Sequence, residues 1–117
     1  MSNRLFAAGV AFMFLAGCAT DPIPAEQIRL TEQAVAQAKA VGAVEQMDEL
    51  VLAETKLADA QSAIADEDYK RARVLAEQAE LDARLAEARV LTSKSEAQLA
   101  DLHGKLNRLR KQLGEQQ

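Results

Sequence analysis

Between Ala25 and Gln117 the chain contains no proline, and Tyr69 is the only aromatic residue in that stretch. Proline is the residue that most reliably interrupts a helix, because it removes an N–H donor and its ring clashes with the preceding turn. A long proline-free run built mainly from Ala, Leu, Glu, Gln, Lys and Arg, the strongest helix formers, therefore has few places to stop. Both prolines (Pro22, Pro24) and all three phenylalanines (Phe6, Phe12, Phe14) precede it. Strands have almost no support, since β-branched residues are sparse. The predicted fold is all-α: an antiparallel helical hairpin or three-helix bundle with a long, coiled-coil-like C-terminal helix. At 117 residues the chain has room for one small domain.

The first residues read as an address. Arg4 supplies a short positive region, and Leu5–Leu15 is an apolar run too short to cross a bilayer, which takes about 20 apolar residues. Leu15-Ala16-Gly17-Cys18 follows, and it resembles a bacterial lipobox. The resemblance implies cleavage before Cys18, a diacylglyceryl thioether on its sulfur and acylation of the new amino terminus. A single acyl chain anchors only marginally, at about 0.8 kcal/mol per buried methylene, whereas several on one cysteine hold stably. The expected divisions are a cleaved signal peptide (1–17), a lipidated cysteine with a short tether (18–24) and an alanine-rich helical domain (25–117). The lipid uses the only cysteine, so neither a disulfide nor a thiol nucleophile is expected. Ala19, rather than aspartate, follows Cys18; by resemblance to enterobacterial sorting this favours the outer membrane, facing the periplasm.

Residues 18–117 contain twenty alanines, thirteen leucines, 13 basic and 18 acidic side chains, a formal charge of −5. Pro22 and Pro24 stiffen the tether, and Pro24 suits a first helical turn, with Glu26 at the positive helix end. Helix one is predicted over about 25–41, with Gly42 marking a turn. Helix two is predicted over about 45–65, where Leu50, Leu57 and Ile64 repeat with Ala53 and Ala60 between them as one apolar stripe. Asp66-Glu67-Asp68 ends that pattern. Asp66 or Asp68 can cap the next helix; as a calcium loop the cluster lacks the glycine and the distal glutamate.

Helix three is predicted over about 69–113 and carries two faces. Ala72, Ala76, Ala79, Ala83, Ala86, Val90, Ala97 and Ala100 form a nearly pure alanine face, expected to pack on helix two. Leu81, Leu85, Ala88, Leu99, Leu102, Leu106, Leu109 and Leu113 lie about half a turn away. Helices one and two are too short to reach the end of helix three. Leu99, Leu102, Leu106, Leu109 and Leu113 therefore form a possible interaction seam with no partner inside the chain.

The pattern Leu50-x-x-Ala53-x-x-Lys56-Leu57-x-x-Ala60, followed by Asp68-Tyr69-x-x-Ala72-x-x-x-Ala76-x-x-Ala79-x-x-Asp82-Ala83, resembles a lipoprotein family whose domain of unknown function is numbered 4398. That resemblance spans about Ala34–Val90. It implies a short envelope lipoprotein with an alanine-rich helical domain, and it implies no mechanism. Asp68-Tyr69-x-x-Ala72 also looks like part of a tetratricopeptide pair, but no second copy follows at about 34 residues.

Catalytic constellations are missing from the sequence. His103 is the single imidazole, Ser93 and Ser95 have no histidine beside them, and no glycine-rich phosphate loop occurs. Carboxylates such as Glu80 and Glu87 interleave with Arg84 and Lys94 as solvated helix faces. No enzyme activity, metal or cofactor is expected beyond the covalent lipid on Cys18, and neither nucleic acid nor a small-molecule substrate is expected as partner. Lys105, Arg108, Arg110 and Lys111 make residues 103–117 basic, which complements the negative helix end and offers a possible contact for anionic envelope material. The expected function is a structural or adaptor lipoprotein of the envelope that docks on another envelope protein or associates weakly with itself. The alternative is a non-covalent tether to peptidoglycan through the basic tail. A covalent link like that of the murein lipoprotein is not expected, since Gly114-Glu115-Gln116-Gln117 has no terminal lysine.

Overall fold

The computed structural model describes residues 21–44 and 47–114. Three helices run up, down and up: α1 (Ala25–Ala40), α2 (Asp48–Ala65) and α3 (Tyr69–Gly114). Among the described residues there is no strand. Cross-helix pairs fix the directions. Thr31 meets Ala76 and Gln37 meets Glu87, so α1 and α3 are parallel. Lys56–Asp82 and Arg89–Glu49 join α2 to α3 in the opposite sense. Lys39–Glu54 and the Gln61–Glu32 hydrogen bond tie α1 to α2.

The helix ends follow from local chemistry. Pro24 stands at the N-cap of α1, one residue before the expected first turn, and its carbonyl accepts from Ile28 N–H at 3.0 Å. At the other end Gly42, with φ +107°, closes α1: its N–H donates to Lys39 O, and Ala43 N–H donates to Ala38 O. This is the paired closure that follows a left-handed residue, with buried Ala43 resting near buried Ala38. The turn expected at Gly42 is real. Helix two begins later than expected, at Asp48, because Met47 is extended (φ −76°, ψ 121°) and Asp48 and Glu49 occupy the positive first turn. Residues 45 and 46 lie outside the described residues.

The second turn uses the same closure. Glu67 N–H donates to Ile64 O and Asp68 N–H to Ala63 O, with Glu67 at φ 60° taking the position glycine takes in the first. Asp68 then caps α3, its Oδ1 accepting from Arg71 N–H at 3.1 Å. Of the two aspartates expected to cap, Asp68 does it.

The core is small and made mostly of methyl groups. Ala72, Ala76, Ala79, Ala83 and Ala86 are fully buried on α3, as are Ala38 of α1 and Leu50, Ala53 and Ala60 of α2. Two sequence expectations need correcting. The spacing assigns the alanine face of α3 to α2 alone, but α1 shares it: Thr31 and Val35 are buried, and Thr31 Oγ1 lies 2.9 Å from Ala76 O. In the stripe of α2, Leu57 is half-buried and packs against the core as expected, but Ile64 is only half-buried and its neighbour Ala63 is buried instead. Small side chains bring the three backbones close, which leaves the larger ones, Leu50 excepted, at the rim of the contact.

Candidate functional site: the distal half of α3

The bundle ends at Lys94. Its Nζ donates to Val41 O at 2.6 Å, fixing the last carbonyls of α1, and Glu49 in the first turn of α2 pairs with Arg89 at 2.6 Å. Neither helix reaches farther along α3. From residue 95 to Gly114 the helix continues alone for about 30 Å. Every residue from Leu91 to Gly114 is exposed except Gly104, which is half-buried.

The expected seam lies on this projection. Leu99, Leu102, Leu106, Leu109 and Leu113 are all about half exposed, from 49% to 66%. Their alternation by three and four residues places them on one helix face. Leu81 and Leu85, assigned to the same face, are also exposed beside the bundle, at 67% and 45%. Ala97 and Ala100, which continue the spacing of the buried alanines, are exposed because α1 and α2 have already ended. The alanine face is thus a core face only as far as its neighbours run.

Local contacts hold the projection in shape without covering the leucines. Lys105 Nζ pairs with Asp101 one turn back at 2.7 Å, and Ser95 Oγ donates to Leu91 O at 2.9 Å. Arg108 Nε reaches Gly104 O at 3.4 Å. Arg110 and Lys111 make no ion pair among the described residues. All four basic side chains expected to contact anions are exposed on this segment, and His103, just before them, is exposed as well.

Several charges in the bundle are paired. Glu80 accepts from Gln27 Nε2 at 2.7 Å and pairs with Arg84 at 2.6 Å; these contacts, chiefly that with Arg84, hold its carboxyl below the ordinary glutamate range. Glu26 is lowered in the same way by Arg29, but on the open surface of α1. The proposed surface interleaving of Glu87 with Lys94 does not form a pair: Glu87 accepts from Gln37, and Lys94 reaches Val41.

Among the described residues no group of three or more His, Cys, Asp or Glu side chains is arranged to hold a metal. No described helix is long and apolar enough to cross a membrane. The hollows on the bundle are open surface grooves, one lined by Leu30, Gln33, Ala34, Gln37, Arg84 and Glu87. Cys18 and the expected lipobox residues Leu15, Ala16 and Gly17 lie outside the described residues. Thr31 and Lys94 are the contacts that sequence reasoning missed. Thr31, Val35 and Ala38 repeat the four–three spacing of the alanine face, a pattern that could have revealed the core face of α1.

Residues 26–102 match the model of a family described as Domain of unknown function (DUF4398). A crystal structure of a DUF4398 family protein from Pseudomonas aeruginosa PAO1 is 64% identical to the chain, with a TM-score of 0.78. The alignment covers 82% of this chain and 100% of that one. No curated protein matches.

Proposed function

The chain belongs to the DUF4398 family, and from that premise we propose that it is a non-enzymatic lipoprotein of the bacterial outer membrane, facing the periplasm and acting as a structural or adaptor module. The observation that carries the reading is the division of α3 into a buried half and a bare half. A helix needed only for folding has no use for leucines at a regular spacing beyond the reach of its partners, since about 1.5–3 kcal/mol per leucine is left unrealised in water. Exposed apolar stripes of this kind mark interaction surfaces.

The topology supports an anchored adaptor. Because α1 and α3 are parallel, the end of α1 that follows Asp21 and the tip of α3 lie at opposite ends of the molecule. With a lipid on Cys18 and a short tether stiffened by Pro22 and Pro24, the bundle stands near the membrane and the leucine seam is carried away from it. Cys18→Ser tests the anchor: the variant should be a soluble or unprocessed precursor that takes up no labelled palmitate. Labelling equal to wild type would overturn the assignment.

The four exposed cations of the distal helix favour a second reading, a non-covalent tether to peptidoglycan. Purified sacculi separate the two. Retention of the wild type, lost when Lys105, Arg108, Arg110 and Lys111 are replaced by glutamine, supports the tether. No retention supports the adaptor.

A further inference from the structure

We propose that the seam of α3 is a docking site for one kind of partner: an acidic amphipathic helix, whose apolar stripe repeats every three and four residues and is flanked by Asp and Glu. The proposal rests on the anchored-adaptor reading and adds to it the chemistry of the partner.

The argument is one of charge placed around an apolar stripe. At about 100° per residue, Lys105 lies about 80° to one side of the midline through Leu99, Leu102, Leu106, Leu109 and Leu113. Arg110 lies about 60° to the other side. These are the flanking positions that choose partners in paired helices. Asp101 is the only acidic residue from 101 to 114, and its pair with Lys105 is exposed on both sides, so it is weakly held and available for exchange. In the bundle, by contrast, three ion pairs among the described residues cross between helices: Lys39–Glu54, Lys56–Asp82 and Arg89–Glu49. The distal helix carries its cations without such matches.

A second copy of the chain fits poorly. In a parallel pair, Lys105 of each copy faces Arg110 of the other, so symmetry makes two like-charge contacts. An antiparallel pair would need one copy to point back toward the surface from which both project. The stripe is also short. Beyond the polar break at Thr92 and Ser95 on the same face, it spans two heptads from Leu99 to Leu113, about 21 Å, below the three to four heptads of a self-sufficient coiled coil. Attraction between opposite charges on both flanks supplies what leucines alone do not. Anionic polymers would use the cations and leave the leucines idle.

The test uses the full, lipidated chain on neutral phosphatidylcholine vesicles. Two synthetic helical peptides share the same leucine stripe, one with glutamate and one with lysine at the flanking positions. Flotation without peptide reads the anchor by itself, so failure there overturns the anchored reading while peptide affinity still judges the seam. The glutamate peptide should bind at least about tenfold more tightly than the lysine peptide, a difference of about 1.4 kcal/mol. Leu102→Asp with Leu109→Asp should abolish binding. Lys105→Glu with Arg110→Glu should reverse the preference. Equal affinity for the two peptides, an unchanged preference in the charge-reversed variant, or binding that survives loss of the leucines would each overturn the proposal.

A photo-crosslinking residue in place of His103, in the producing cells, reads the natural occupant. Crosslinks to an acidic helical segment support the proposal. Crosslinks to a second copy or to wall glycan overturn it.

Discussion

Lys94 Nζ donates to the carbonyl of Val41 at 2.6 Å, so the side chain of one helix closes the end of another 53 residues earlier. The last carbonyls of a helix have no partner within it, and a cation placed there satisfies one of them while complementing the negative end of the dipole. The contact also marks the boundary of the fold: before it α3 is packed, after it α3 is bare. Lys94→Met should lower stability by about 1 kcal/mol. The loss should appear as faster amide exchange at Val41–Ala43, with the α2–α3 turn unaffected.

The two turns share a design but differ in the residue at the left-handed position. Gly42 adopts φ +107° without cost, whereas Glu67 holds φ 60° with a side chain attached. Gly42→Ala should destabilise by at least about 1 kcal/mol, even though only Lys94 Nζ and Val90 Cγ1 lie within 4 Å of the added carbon. Glu67→Gly should gain up to about 1 kcal/mol. Chemical denaturation of the two variants should move the midpoint in opposite directions.

Ala79 and Ala100 belong to the same sequence stripe, but Ala79 is fully buried and Ala100 is exposed. Inserting a larger side chain between close backbones forces them apart. Ala79→Leu should cost about 1–3 kcal/mol or more, and Ala100→Leu less than about 0.5 kcal/mol. Thermal unfolding of both variants measures the difference.

Acid should loosen α1 through Glu80. Its carboxyl is held below the ordinary value of 4.5 by Arg84 and Gln27, so its contribution is complete above that value and is lost as pH falls below it. Only the Gln27 contact crosses between helices. Stability measured from pH 6 to pH 3 should therefore fall less steeply in Glu80→Gln than in the wild type.

Removing the seam should leave the bundle intact. Leu102→Asp with Leu109→Asp alters exposed residues beyond the last contact of α1 with α3. Circular dichroism should show any helix loss confined to the distal segment, with the unfolding midpoint of the bundle unchanged. A lowered midpoint would place these leucines in the core.

The helices were legible because their causes are local. Proline-free composition, the four–three spacing of Ala72–Ala86, the glycine at 42 and the capping aspartate at 68 each act within a few residues. The solitary seam at Leu99–Leu113 was also legible, since helix lengths alone show that nothing in the chain can reach it. Local spacing, however, cannot say which neighbour occupies a face or where its coverage stops. The packed structure decided that α1 shares the alanine groove through Thr31, that Ala63 rather than Ile64 is buried, and that Ala97 stays in water while Ala86 is buried. Those outcomes depend on how closely three backbones approach and on where two of them end, quantities set by the packed helices together and by no single stretch of sequence.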